Sequence, residues 1–239
     1  MPVDESDSNS SHYSTIPLGI IIGDDFILTV CSTQTKILND FIVGHIKDFY
    51  TFKKTRFILQ ILYKNASYYL YYLRRINKMT SVIEREVTKS MKNKELIQLL
   101  ELEKSLVYFS TSLKAIELVL NKMVRTNSIK KYPDDEDLLE DVIVENKQAL
   151  EMATIYGDIL SRVMDAFSAI ISNNQNNVMQ FLTSVTLITT IPTIVSGFFG
   201  MNVGGIPYGN DINGFWIVML ITTLICLVVT FFMSRNKLL

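Results

Sequence analysis

The sequence predicts a mainly α-helical membrane protein. A small, truncated α/β cytoplasmic portion and a helical region precede a long stalk helix, which continues into the first of two C-terminal transmembrane helices. Three observations carry this. The charges are uneven: 20% of the 239 residues are charged, yet Ala166–Asn210 and Ile212–Ser234 contain no Asp, Glu, Lys or Arg. Two apolar runs, Val178–Phe199 and Phe215–Met233, lie in those blocks; as helices they span about 33 Å and about 28 Å, matching a hydrocarbon core of roughly 30 Å. The third is an apolar spacing of alternating threes and fours that runs through residues 134–177. A charged, helical front and a lipid-embedded back explain the averages better than one globular domain does.

Residues 1–14, MPVDESDSNSSHYS, are polar and Ser-rich and read as a disordered start or an edge left by truncation. Residues 15–133 form a partial cytoplasmic domain. In it IPLGIII and FILTVC, separated by Gly23-Asp24-Asp25, predict a β-hairpin. Two strands do not make a stable sheet alone, so the sheet continues in a portion this chain lacks or packs on helices. Helices are expected over about 36–50, 52–78, 80–128 and from 134 into the membrane. The aromatic run SYYLYYL at 67–73 is expected to pack between helices. The last soluble turn is Lys130-Lys131-Tyr132-Pro133, followed by four acids, Asp134–Asp137. Pro suits a helix start, and the acids suit its positive dipole end.

The stalk, 134–177, would run about 66 Å. Positions 138, 142, 145, 149, 152, 156, 159, 163, 166 and 170 trace its heptad-like seam, which needs partner helices to cover it. Within transmembrane helix 1 (178–199) the neighbouring register changes character. Positions 176, 179, 183, 186, 190, 193, 197 and 200 are Asn176, Met179, Thr183, Thr186, Thr190, Thr193, Gly197 and Gly200. Such a stripe either packs helices closely, each Thr returning its hydroxyl to its own backbone, or walls a polar pore when several copies surround an axis. The pore is the preferred reading. Pro192 leaves the Ile188 carbonyl without its helical partner, a group tolerated in lipid only where protein or water satisfies it.

An outer loop, 200–214, carries Asp211 and no Lys or Arg; transmembrane helix 2 (215–233) is followed by a basic tail, 234–239. The positive-inside rule then places both termini in the cytoplasm. The glycine-rich stretch SGFFGMNVGGIPYGN, 196–210, suits a water-filled entrance, because irregular backbone is allowed there and not in lipid. Cys31 and Cys226 have neither disulfide nor metal spacing and read as small buried hydrophobes. Without a nucleophile–base pair, metal cluster or phosphate loop, the chain is not expected to be an enzyme, and nothing points to nucleic acid.

Gly200-Met201-Asn202, at the outer end of the first of two C-terminal membrane helices, resembles the signature of the CorA family of divalent-cation channels. NNVMQFLTSVTLITTIPTIVSGFFGMN resembles that family's first transmembrane helix, LLEDVIVENKQALEMATIYGDIL its stalk, and Ser234–Lys237 its tail. The resemblance covers roughly residues 16–239. It implies a funnel-shaped homopentamer in the cell membrane, with five copies of helix 1 lining the pore. It implies a filter of Gly200, Met201 and Asn202, and pore-facing Asn176, Met179, Leu182, Thr186, Thr190 and Thr193. It puts Leu182, where periodicity chose Thr183, beside Met179 in a hydrophobic constriction. It also implies Asp141 as a regulatory Mg2+ ligand, and a larger α/β cytoplasmic domain than this chain supplies. The transported ion is then Mg2+, with Co2+ beside it. Many members follow the tripeptide with Met-Pro-Glu; the Gly204-Gly205-Ile206-Pro207 string here is similar to the zinc-transporting ZntB branch, which makes Zn2+ the alternative. A non-conducting, membrane-anchored helical scaffold is the alternative of a different class.

Overall fold

The computed structural model describes residues 1–5, 12–90, 93–125, 133–208 and 211–235. The chain falls into two units, Met1–Phe167 and Ser168–Leu239. Strands β1 (Pro2–Asp4) and β2 (Tyr13–Thr15) pair antiparallel, as do β3 (Leu18–Ile22) and β4 (Ile27–Cys31). Helices α1 (Lys36–Ile42), α2 (Lys54–Ser90), α3 (Asn93–Arg125), α4 (Pro133–Phe199) and α5 (Gly214–Arg235) follow.

The expected disordered start does not extend to its ends. Pro2–Asp4 pairs with Tyr13–Thr15, and Tyr13 is fully buried against Tyr72 and Phe109, with ring centroids at 5.3 and 6.3 Å. Residues 6–11 lie outside the described residues. The predicted β3–β4 hairpin packs on helices, with Ile16, Leu18 and Ile20 against Ile37, Phe41 and Ile61. Helix α1 stops at Ile42 rather than near residue 50 because Gly44 turns left-handed at φ 81°. Its N–H donates to the Phe41 carbonyl at 3.3 Å and that of His45 to Asp40 at 2.9 Å, the paired bonds of a Schellman end.

The expected break near residue 79 is absent, and α2 continues to Ser90. No Gly or Pro interrupts Lys78–Val87, and Thr80 returns its hydroxyl to the Ile76 carbonyl at 3.0 Å. The first unit's core lies between α2, α3 and the first part of α4. Tyr69, Leu73, Leu102, Leu106, Phe109, Ala149, Ala153 and Leu160 are all buried in it. The aromatic run therefore packs between helices, Tyr69 edge-on to Phe109 at 5.0 Å. Tyr68 faces outward enough to donate to Asp40 at 2.9 Å; burial and that carboxylate push its phenol up to about 12.

Along the stalk the buried positions are Asp135, Val142, Asn146, Ala149, Ala153, Leu160 and Phe167, so after residue 142 the covered seam runs one residue beyond much of the apolar register. Asn146 explains the offset. Its amide is buried and donates to the Leu113 carbonyl of α3 at 3.2 Å, a polar anchor that a count of apolar residues passes over. At the helix start Asp135 is buried beside Arg56 of α2 at 3.4 Å, so this acid ties α4 to its neighbour besides meeting the dipole.

Arg75 of α2 donates to Asp4 of β1 at 2.9 Å, and the buried Tyr13 N–H of β2 donates to Ser105 Oγ of α3 at 3.0 Å. Ser105→Ala removes that acceptor from a buried donor, so a loss of about 1–3 kcal/mol is expected in denaturant unfolding of the full chain in detergent. A change below a few tenths would show that the bond contributes nothing.

Candidate functional site: a polar face on the membrane helix

In the second unit, α4 and α5 are long and apolar enough to cross a membrane. Their large side chains are exposed, including Phe181, Leu187, Phe198, Trp216, Leu220 and Phe231. So much exposed apolar surface suits lipid rather than water. Phe215 and Trp216, edge-to-face at 5.5 Å, sit at the start of α5, where amphipathic rings favour an interface.

The least exposed positions of this part of α4 are Gln180, Ser184, Ile188, Ile191 and Val195. On α5 they are Gly214, Ile217, Val218, Thr222, Cys226, Val229, Thr230 and Met233. Cys226 Sγ lies 3.9 Å from the Ile188 carbonyl oxygen, so these two faces meet. Around a helix turning about 100° per residue, Thr186, Thr190, Thr193 and Gly197 each follow a covered residue by two and stand nearly opposite it. All four are exposed, as are Asn176, Met179, Leu182 and Thr183. Leu182 sits near the middle of this far face, while Thr183 and Asn176 fall toward one edge. Val185, Leu187, Ile194 and Phe198 flank it. The threonine stripe is therefore set apart from the α5 side, which carries Gln180 and Ser184 among its covered residues, by flanking apolar side chains.

Each Thr hydroxyl donates within its own helix. Thr183, Thr186, Thr190 and Thr193 reach the carbonyls of Met179, Leu182, Thr186 and Thr189 at 2.8, 2.8, 2.7 and 3.0 Å. A hydroxyl has one proton to give and two lone pairs to offer. With the proton committed, the oxygens along this face are presented as acceptors. That polarity suits the outward-pointing hydrogens of a hydrated cation.

Above Phe199 the helix unwinds. Gly200 N–H still donates to Ser196 at 2.8 Å, and a Cβ at Gly200 would stand 3.1 Å from that same carbonyl oxygen. Gly200, Met201 and Asn202 are exposed. Gly205 adopts φ 91° and Tyr208 φ 64°, so the chain reverses on left-handed backbone. Gly214, at the start of α5, admits no side chain: its Cβ would lie 2.2 Å from the Tyr208 oxygen. Tyr208 and Gly214 thus close the loop that leads from α4 to α5.

A family model described as "CorA-like Mg2+ transporter protein" matches residues 2–235. The chain belongs to the CorA family. Members of the CorA family are ion transporters, not enzymes. The cobalt/magnesium transport protein CorA of Methanocaldococcus jannaschii is 27% identical over 237 residues, which cover 93% of this chain and 72% of that one. The protein of the same name from Thermotoga maritima is 23% identical over 169 residues, 71% of this chain and 48% of the relative. Among solved structures, the complete CorA magnesium transporter of M. jannaschii superposes with a TM-score of 0.75 at 24% identity, covering 98% of this chain and 78% of that one. Full-length CmaX superposes with a TM-score of 0.71 at 18% identity, covering 93% and 68%. At these identities the superpositions speak for the fold.

Two features of this CorA-family chain escaped the sequence pattern. Thr189 borders the polar face and shares its hydroxyl between the carbonyls of Val185 and Thr186, both at 3.0 Å; it lies outside the stripe by one step. The contact of Cys226 with Ile188 depends on the register between two helices, which neither segment encodes alone. Asp141 is exposed on the first unit, and no group of three or more His, Cys, Asp or Glu side chains suited to a metal ion occurs among the described residues.

Proposed function

We propose that this chain is one subunit of a homopentameric channel that carries Mg2+, and Co2+ beside it, inward across the cell membrane. Five copies of α4 line the pore, α5 forms the outer ring, and both termini are cytoplasmic. The observation that carries the reading is the acceptor-lined face of α4, opposite α5 and bounded by apolar residues, which ends at Gly200-Met201-Asn202. The names of the two curated relatives, both cobalt/magnesium transport proteins, support the choice of ion.

Mg2+ holds its water tightly and demands a near-ideal octahedron. A site that must pass it quickly therefore addresses the hydration shell with neutral acceptors. Asn202 offers an amide oxygen and Gly200 a backbone carbonyl beside no side chain; five-fold repetition makes a ring of each. Below them Thr193, Thr190, Thr186 and Thr183 continue the acceptor wall toward Gly197's opposite end of the helix at Asn176. Met179 and Leu182, exposed at 55% and 56%, place apolar side chains on that path and form a gate that closes by dewetting. A divalent ion crossing 100 mV gains about 4.6 kcal/mol, so the gradient suffices as fuel.

Uptake of Mg2+, Co2+ and Zn2+ into liposomes carrying the purified protein tests this directly. Mg2+ flux driven by an inside-negative potential is the expected result. Zn2+ flux without Mg2+ flux transfers the assignment to zinc, and no flux of any ion leaves a scaffold.

Asp141 is proposed as a regulatory ligand, bridging subunits through cytoplasmic Mg2+ to hold the gate shut. Its exposure in the single chain leaves it accessible to a neighbouring subunit. Asp141→Asn is expected to leave severalfold more flux at high internal Mg2+, and unchanged inhibition rejects the assignment.

A further inference from the structure

Pro192 lies inside α4 and has no N–H, so the Ile188 carbonyl has lost its normal backbone donor. At membrane depth no water replaces it. The neighbouring hydroxyls serve other carbonyls: Thr189 those of Val185 and Thr186, Thr190 that of Thr186, and Thr193 that of Thr189. On α5, Thr222 and Thr230 are likewise committed, to Val218 and Cys226 at 2.8 and 2.7 Å. The thiol of Cys226 on α5 reaches Ile188, its Sγ 3.9 Å from the oxygen.

We propose that Cys226 is a positioning residue: its S–H stands in for the donor that Pro192 removes. It thereby ties the part of α4 that carries Thr193, Gly197 and Gly200–Asn202 to α5. The contact itself follows from the helix pair; only its effect on transport rests on the reading of α4 as a pore helix. A thiol is a weak donor. Side-chain hydrogen bonds between membrane helices average about 0.6 kcal/mol, or roughly a threefold change in an equilibrium.

The test is a double-mutant cycle in the full chain, Cys226→Ala and Cys226→Ser, each made with Pro192 and with Pro192→Ala. Unfolding in mixed detergent micelles and half-saturating Mg2+ for liposome flux are both measured. With Pro192 present, Cys226→Ala is expected to shift the unfolding equilibrium about threefold and to raise half-saturation more than it lowers maximal flux. Cys226→Ser restores both. With Pro192→Ala the backbone N–H serves Ile188 again, so the Ala and Ser variants become equal. An Ala penalty of the same size in both backgrounds, or a Ser variant no better than Ala, overturns the proposal.

A second readout holds if Pro192→Ala does not assemble. In a chain carrying Cys31→Ser, the infrared S–H stretch of Cys226 is expected at the lowered frequency of a hydrogen-bonded thiol. A free-thiol frequency overturns the proposal. If the unaltered protein passes no ion, the unfolding cycle and the S–H band still judge this contact, and the channel reading is what falls.

Discussion

Replacing Asn202 with Ala is expected to abolish Mg2+ flux while leaving the assembled protein intact. The side chain is exposed just past the C-terminal end of α4 and contributes nothing to a buried core. Its removal therefore has little stability cost. In the proposed pentamer its effect on transport is multiplied by symmetry, because one substitution deletes a whole ring of amide oxygens. If each amide–water hydrogen bond is worth about 1 kcal/mol, a ring of five amounts to as much as 5 kcal/mol, and a loss of at least a hundredfold in flux follows. Asn202→Gln keeps the amide but displaces it by one methylene, so partial flux with altered ion preference is expected. Flux from Asn202→Ala equal to that of the parent contradicts a filter at this position.

The second large effect is expected from Thr186→Val combined with Thr190→Val. Valine keeps the branched shape and removes the hydroxyl, so packing and helix geometry change little. The lost hydrogen bonds to the Leu182 and Thr186 carbonyls are local to the helix, and those carbonyls keep their backbone donors. In the proposed pentamer, however, two consecutive acceptor rings become apolar. Beside the existing apolar pair, Met179 and Leu182, this lengthens the stretch that hydrated Mg2+ must cross without acceptors. A fall of tenfold or more in flux is expected, with unchanged unfolding in detergent. The same double substitution at Thr222 and Thr223 of α5 leaves the polar face intact and is expected to reduce flux little. Equal losses from the two pairs would mean that the threonines serve helix packing alone.

Both predictions start from a pattern that was readable in the chain. Thr183, Thr186, Thr190, Thr193 and Gly197 stand out at helical spacing because most of the other residues from Phe181 to Phe199 are apolar, Ser184, Thr189 and Ser196 excepted. The two spans were equally visible, since lipid thickness imposes a length that no other constraint disguises. Elsewhere the signal was weaker. The early hairpin was hidden because Pro2–Asp4 and Tyr13–Thr15 are mostly polar, and their pairing depends on Tyr13 entering a core built by distant helices. The end of α2 was misplaced because the chain carries no breaker near residue 79, and composition alone marks no boundary there. The stalk register slipped because Asn146 is buried through a bond to α3 that polarity argues against. The geometry around Ile188 was half legible: Pro192 announced an orphaned carbonyl, but not which residue of α5 would meet it.

Water accessibility along α4 is the measurement that decides the matter. Single cysteines are placed at each position from Asn176 to Asn202 in a chain whose native Cys31 and Cys226 are Ser, and a charged thiol reagent is applied while flux is recorded. Modification and block are predicted to recur at 179, 182, 186, 190, 193 and 197, with 181, 185, 187, 194 and 198 silent; at 202, where cysteine itself removes the amide, modification alone is read. Block that peaks instead at the Phe181, Val185 and Phe198 side, with Thr186 and Thr190 inaccessible, would contradict a hydrated path along the threonine face.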